Sequence, residues 1–557
     1  MSRKGLYQAI CLSESFCNVV KNSASIGRQS LDIWLKTSTL TRPVLSKFQW
    51  FYDKDWEHAR KLSESVRKST KGHSSKKAHL SKCSVKNKKN VRHFSSYHRC
   101  SNKAADAIPE DKLVNKQKAN KLESSEVPSS RISRLFHYGH LAASVGISAA
   151  SQSITQLSRG QSSSFKDLLL SDSNVERIAN KFSQMRGAAL KLGQLMSFQD
   201  EKVLPPQLYT ILSRVQNSAN YMPPRQLDRL LARELSSDWE KKFKSFDRTP
   251  IAAASIGQVH NAVLHNGEEC VVKIQYPGVK DSIDSDLNNL LMLLTASSLL
   301  PKGLFLDKTI DNARKELKWE CDYHREANAL KHFASLLKDD PVFEVPFVYD
   351  ELTTENIITM QRMKGTEITK LPVNTPQEVR DYICDNIMRL CLQEIAQFKY
   401  MQTDPNWANF LYNSKTKKIE LLDFGASRGF PEPFIHNYRK LLTQATKGDR
   451  IGVAETSVEL GYLTGLESTA MVDAHVESVM TLGEPFSGDP EKSFDFANQT
   501  VSDRVRSKIT VMLNERLCPP PEETYSLHRK FSGVFLLCSK MRAKVSCSKL
   551  FKEYFAL

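Results

Sequence analysis

Between residues 172 and 200, Val175, Ile178, Phe182, Met185, Ala189, Leu192 and Met196 recur at alternating steps of three and four. That spacing predicts one apolar stripe on an amphipathic helix. At about 100° per residue, Gly187, Lys191 and Gln194 fall within roughly 60° of one another on the opposite side. A glycine, a cation and an amide on one face make a surface open to close approach by another backbone or a phosphate. The plainer reading is a solvated face. From about residue 246 the pattern changes to that of short strands. Thr249-Pro250-Ile251 leads into a run of alanines, and Ile256–Leu264 forms a strand. His265-Asn266-Gly267 supplies the positive φ angles of a two-residue hairpin turn, and Cys270–Ile274 forms the next strand. Residues 281–300 and 308–335 read as helices, Asn356–Met360 as an apolar strand, and 379–400 as a long helix. The order predicts an α+β fold of two lobes, a small five-stranded one and a larger helical one, behind a helical extension.

Charge changes this picture at one end only. The chain of 557 residues carries a net charge of +17, yet residues 1–100 hold 21 Lys/Arg against 6 Asp/Glu, and the rest sums to only +2. A basic face on the folded part is therefore not indicated, and nucleic acid is not an expected partner. The first segment is rich in Ser, Lys, Arg and His and poor in acids, the composition of an organellar transit region. Arg92-His93-Phe94-Ser95-Ser96 looks like a matrix-processing site. A disordered basic tail or a nuclear-import patch around Lys86-Asn87-Lys88-Lys89 is the alternative.

Residues 135–147 are apolar and rich in small residues, bounded by Arg131, Arg134 and Arg159. Gly139/Ala143 and Ala142/Gly146 are small-x-x-x-small pairs of the kind that let helices approach closely in a bilayer. The stretch is shorter than the ~20 residues a span needs, so spanning, interfacial and soluble packing roles all remain open on these residues. The 11 cysteines include no C-x-x-C pair, which fits reduced, buried thiols in the cytosol or matrix.

Candidate chemistry lies in segments of fixed order: AAASIGQV at 252–259, VVK at 271–273, QTDPNWAN at 402–409 and LLDFG at 421–425. The first fits the G-x-G-x-x-G-x-V template of a kinase phosphate loop, with Ala252 and Ala254 in the first two glycine positions and Gly257 in the third. Ala252, Ala253, Ala254 and Ser255 keep that loop small, but their methyl groups restrict φ, so a stiffer loop is expected. Lys273 is placed to meet the α/β-phosphates and needs a carboxylate to hold it. Glu316, Glu320, Asp322 and Glu326 are the candidates, and spacing does not rank them. Asp404 and Asn409 keep the D-x-x-x-x-N spacing of a catalytic loop, and Asp423-Phe424-Gly425 keeps the metal-binding DFG. Asp404 would orient or deprotonate the nucleophile, while Asn409 and Asp423 would hold the metal. Gln402-Thr403 stands where kinases carry His-Arg. Without that arginine, control by a phosphorylated loop is not expected. Met360, Gln361, Arg362 and Met363 follow the predicted strand at 356–360, where a hinge would offer backbone groups to an adenine edge.

Lys191-Leu192-Gly193-Gln194 (K-x-G-Q), Ala252-Ala253-Ala254-Ser255, the ECDYHRE segment, TDPNWAN, LLDFGAS and PPPEETYSLHRKFSG together resemble the UbiB/ADCK (aarF-domain-containing) atypical kinase-like family. The resemblance covers about residues 130–557 and is strongest to the mitochondrial branch of coenzyme Q biosynthesis. It implies a bilobal kinase-like fold whose K-x-G-Q segment folds over the active site, with Lys191 and Gln194 against the nucleotide pocket. It also implies Glu320 as the preferred partner of Lys273, with Glu326 a second acidic contact. Further implications are binding of ATP or ADP with Mg2+, association with anionic lipid of the inner membrane on its matrix side, and work alongside coenzyme Q biosynthetic enzymes, with an isoprenoid lipid intermediate as a candidate ligand.

The chain accordingly divides into a mitochondrial transit region (1–94), a linker (95–130), a candidate membrane-associated helix (131–160), the helical extension with K-x-G-Q (161–245), a small lobe (246–364) and a large lobe (365–557). The expected activity is that of an ATP-dependent atypical kinase or ATPase supporting coenzyme Q synthesis. A matrix protein kinase and a nucleotide-responsive scaffold without turnover are the alternatives. The alanine loop and the occluding helix count against the first, and intact Asp404, Asn409 and Asp423 against the second.

Overall fold

The computed structural model describes residues 220–297 and 305–556, with Glu123–Ser124 and a few residues between 144 and 177. Residues 1–122, most of 131–160, and Lys191, Gly193 and Gln194 lie outside the described residues. Of the predicted apolar stripe, Val175 is described, and it is helical and buried.

In the segment read as the helical extension lies α1 (Pro224–Glu234), whose Leu227, Leu230 and Leu231 are buried at helical spacing. A five-stranded sheet follows, made of β1 (Ser245–Phe246), β2 (Ala252–Ala253), β3 (Gly257–Val263), β4 (Glu269–Gln275) and β5 (Ile357–Gln361). β4 lies between β3 and β5, antiparallel to both, with Lys273 opposite Val259 on one side and Ile358 on the other. The two-residue period of a strand sends Cys270, Val272 and Ile274 to one buried face and Val271, Lys273 and Gln275 to the other.

Ala252 and Ala253 pair with Val259 and Gln258, and the Ala254 N–H donates to the Gly257 carbonyl at 2.8 Å, so the alanine segment is a tight hairpin. Two local expectations are corrected. The turn at 264–268 is wider than two residues, with Gly267 N–H donating to Leu264 O, and only Gly267 takes a positive φ, 88°. The helix expected over 308–335 is two, α3 (Leu306–Glu320) and α4 (Tyr323–Leu336), following α2 (Val279–Ser297). The break falls at Cys321-Asp322 because Asp322 caps α4, its side chain accepting from the Arg325 N–H at 3.0 Å.

In the large lobe, α5 (Gln377–Ala396) stops short of the expected residue 400 and gives way to β6 (Tyr400–Gln402). Then come β7 (Phe410–Asn413), β8 (Lys418–Leu421) and β9 (Ser427–Gly429). β6 pairs antiparallel with β9, Gln402 opposite Ser427, and β7 with β8, Phe410 opposite Leu421. The segments 403–409 and 422–426 are therefore two loops clamped between the same pair of ladders. Helices α6 (Glu432–Thr446), α7 (Arg450–Leu460), α8 (Thr469–Gly483), α9 (Val501–Glu515) and α10 (Glu522–Lys540) complete the lobe. Among the described residues all cysteines are free, and every one except Cys518 is buried.

Candidate active site

Lys273 projects from the middle of β4 with only 7 % of its surface exposed. Its Nζ donates to both oxygens of Glu326, at 2.7 and 2.9 Å, and to Asp423 Oδ2 at 3.3 Å. The Tyr323 ring lies 5.4 Å beneath the ammonium. Burial works to strip the Lys273 proton, but Asp423 and Glu326 outweigh it and hold the ammonium well above the ordinary lysine range. Burial also pushes the Glu326 carboxyl up to about 7, against the pull of Lys273. The pair is thus mutually dependent. Removing either partner of a buried ion pair strands the other at a cost of roughly 3–5 kcal/mol.

Glu326, in the first turn of α4, is the carboxylate that holds Lys273, rather than Glu320. The helix break explains the correction. Asp322 caps a new helix, α4, whose first turn carries Glu326 onto Lys273 of β4, while Glu320 is the last residue of α3. Glu320 is nevertheless in the site. A Cβ built on Gly425 would lie 3.4 Å from Asp423 Oδ1, 3.5 Å from Glu320 Cγ and 3.5 Å from Glu326 Oε2. Side chains of Asp423, Glu320 and Glu326 thus all pass close to Gly425, and Glu326 and Asp423 reach Lys273.

Asp423 takes φ 48°, a left-handed conformation that costs a non-glycine residue energy. Its loop is held by a bond on each carbonyl. Asp423 O accepts from Gln402 Nε2 at 3.1 Å, and Phe424 O from Ser427 N at 3.0 Å. Gly425 O accepts from Arg325 Nη1 at 2.8 Å, Ala426 O from Thr403 Oγ1 at 2.7 Å, and Ser427 O from Arg325 Nη2. Gln402 and Thr403, the residues that replace His-Arg, therefore carry part of this load. Trp319 packs against the guanidinium of Arg325 at 4.6 Å and that of Arg428 at 5.4 Å. An Arg–Trp stack of this kind leaves no local pattern in the sequence.

In the other loop, Asp404 Oδ2 accepts from Asn409 Nδ2 at 3.0 Å, and Oδ1 from the Asn406 N–H at 3.3 Å. With Nδ2 engaged, Asn409 keeps its amide oxygen as the free acceptor. Leu422 N–H donates to Asn409 O at 2.8 Å and ties the two loops together. Among the described residues no three His, Cys, Asp or Glu side chains converge into a metal cage. The donors at hand are the Asp423 carboxylate and the Asn409 amide oxygen. Such hard oxygen donors, few in number, suit Mg2+, which takes one or two protein ligands and completes its shell with water and phosphate.

Gly257 is buried, and a Cβ there would be 2.4 Å from Ile274 O and 2.9 Å from Tyr323 Oη. Its role in the sheet is close approach. Met360 is buried opposite Val271, while the N–H groups of Gln361 and Arg362 donate to Phe347 O and Glu269 O. Just beyond these residues, Gly365 N–H donates to Glu420 Oε2 at 2.7 Å, tying the chain to β8 of the large lobe.

Lysine, paired glutamate, catalytic-loop aspartate and asparagine, and a metal-loop aspartate on a bilobal frame define a protein of the kinase-like class. Residues 214–457 match the ABC1 atypical kinase-like domain. The chain is 71% identical over 440 residues to "Atypical kinase COQ8, mitochondrial" of Saccharomyces cerevisiae, covering 79% of this chain and 88% of that one. It is 52% identical over 431 residues to the Schizosaccharomyces pombe protein of the same name, covering 77% and 70%. To "Atypical kinase COQ8B, mitochondrial" of Danio rerio it is 48% identical over 445 residues, covering 79% and 71%. The chain belongs to the ABC1 atypical kinase-like family.

Proposed function

We propose that this atypical kinase-type enzyme serves coenzyme Q biosynthesis by binding and cleaving ATP at the site built on Lys273, Asp404, Asn409 and Asp423. One observation carries the reading. Lys273 is held in its charged form between Glu326 and Asp423, as a phosphate-binding lysine must be. Asn409 and Asp423 would hold Mg2+, which supplies neutralisation of phosphate charge when bound. Lys273 would orient the α/β-phosphates. Asp404, held by Asn409 and the Asn406 amide, would position the attacking hydroxyl and take its proton.

Ala252, Ala253, Ala254, Ser255 and Gly257 would form the roof over the phosphates. Because the Ala254 N–H is engaged with Gly257 O, that roof is closed on itself and offers fewer donors than a glycine loop. Met360, Gln361, Arg362 and Met363 would line the adenine edge, with Glu320 beside the phosphate end. Lys191, Gly193 and Gln194 would cover the pocket and exclude peptide substrates. We place the protein in the mitochondrion, on the matrix side of the inner membrane, with anionic lipid, an isoprenoid intermediate and coenzyme Q biosynthetic enzymes as partners. Among the described residues no helix is long and apolar enough to cross a membrane, so this assignment rests on residues 131–160.

The test is Mg2+-dependent ATP hydrolysis by the purified protein, with and without vesicles rich in anionic lipid. Turnover that the vesicles raise supports the reading. Rapid phosphorylation of added protein substrates would favour a protein kinase instead.

A further inference from the structure

Lys530 is 1 % exposed in the interior of α10, and its charge there needs a reason. Its Nζ donates to Gln402 Oε1 at 2.6 Å, lies 3.8 Å from Glu394 Oε2, and sits 5.2 Å over the Phe410 ring. Glu394, itself fully buried on α5, accepts the backbone N–H of Gln402 at 3.0 Å. Gln402 is thus held at both its backbone and its side chain by a buried pair of opposite charges drawn from two helices.

The chemistry of the amide makes this arrangement directional. An ammonium has three donors and no acceptor, so it fixes which end of the Gln402 amide is oxygen. The NH2 end must then face the other way, and it donates to Asp423 O at 3.1 Å. Lys530 and the Asp423 carbonyl fix the amide from its two ends, since the flipped form would set oxygen against oxygen at Asp423 and NH2 against the ammonium; without Lys530 only one of the two holds remains. Asp423 stands at φ 48°, so its peptide needs such a hold. A buried ion pair is poor value as a stabiliser, since apolar residues of the same size often do as well. Its worth here is geometric.

We propose that Lys530 is a positioning residue for the metal-binding loop, acting through Gln402 to fix the Asp423 peptide and so aim its carboxylate. The cation-binding half of this inference rests on the reading of Asp423 as a Mg2+ ligand.

The experiment compares the full-length protein with Lys530→Met, with Lys530→Met/Glu394→Gln, which removes both buried charges together and guards against loss of fold, and with Gln402→Ala. Amide hydrogen exchange across 423–427 and the Mg2+ concentration for half-maximal ATP hydrolysis are read in each. Exchange in 423–427 should quicken about tenfold in the Lys530 variants while the interior of α6 is unchanged. The Mg2+ requirement should rise roughly 10–100-fold, the usual cost of losing an outer partner of a metal ligand. Combining Lys530→Met with Gln402→Ala should add little to Gln402→Ala alone. Unchanged exchange in a folded Lys530 variant, or fully additive effects, would overturn the proposal. If exchange quickens but the parent shows no Mg2+ dependence at all, the positioning role stands and the metal assignment of Asp423 falls.

Discussion

The Arg325 guanidinium donates to the carbonyl oxygen of Gly425 at 2.8 Å, and its second nitrogen to that of Ser427, so helix α4 grips the metal loop directly. The same helix carries Glu326, which holds Lys273. One helix therefore sets both Lys273 and the 423–427 loop, the proposed phosphate-binding lysine and metal loop. Arg325→Met would leave two buried carbonyls without donors, at roughly 1–3 kcal/mol each. The expected outcome is a lower unfolding temperature together with a disproportionate fall in ATP turnover. Thermal unfolding and steady-state kinetics on the same preparation check it. A variant with parental turnover would show that the grip is dispensable.

Gly533 of α10 lies against the catalytic loop so closely that a Cβ there would be 2.3 Å from Pro405 Cβ and 3.3 Å from Pro405 Cα. Its carbonyl also accepts from Trp407 Nε1 at 2.9 Å. Pro405 follows Asp404, the proposed catalytic residue, so a methyl group on the helix here must push against the neighbour of that aspartate. Gly533→Ala should cost about 1–3 kcal/mol by overpacking and reduce kcat more than ATP affinity. Urea denaturation and ATP titration read the two effects separately.

Acid should destabilise the large lobe through His475. Burial pushes its pKa down to about 4, from an ordinary value near 6.5, and its Nε2 sits 2.9 Å from Ser457 Oγ in the interior. Between these values the unfolded chain binds a proton that the folded one excludes, so stability is complete above about pH 6.5 and declines as the pH falls. The slope for one such histidine is at most about 1.4 kcal/mol per pH unit. Urea midpoints at pH 7.5 and 5 should therefore differ less for His475→Gln than for the parent. Equal differences would remove His475 as a cause.

The motifs of the site were legible because phosphate chemistry fixes residue type and spacing locally. Lys273 lies on a strand of the small lobe, and Asp404, Asn409 and Asp423 on two joined loops of the large one. The partner of Lys273 was not legible, because one capping aspartate at residue 322 redirects the helix and puts Glu326 rather than Glu320 on the ammonium. Nor were the supports of the metal loop. Arg325, Thr403 and Lys530 reach their partners across 102, 23 and 128 residues of chain, a distance at which no periodicity carries information. Gln402 looked like a bare departure from the kinase triplet. In the fold its amide is what bonds the Asp423 carbonyl.

The most direct test of the account is Mg2+-dependent ATP hydrolysis by the purified protein beside Asp423→Asn. The variant keeps the shape of the loop but removes the charge that faces Lys273 and the cation. Turnover should fall at least about a hundredfold, more than 2.7 kcal/mol of lost transition-state stabilisation, with the unfolding temperature changed by no more than a few degrees. An Asp423→Asn protein that hydrolyses ATP at the parental rate would contradict it.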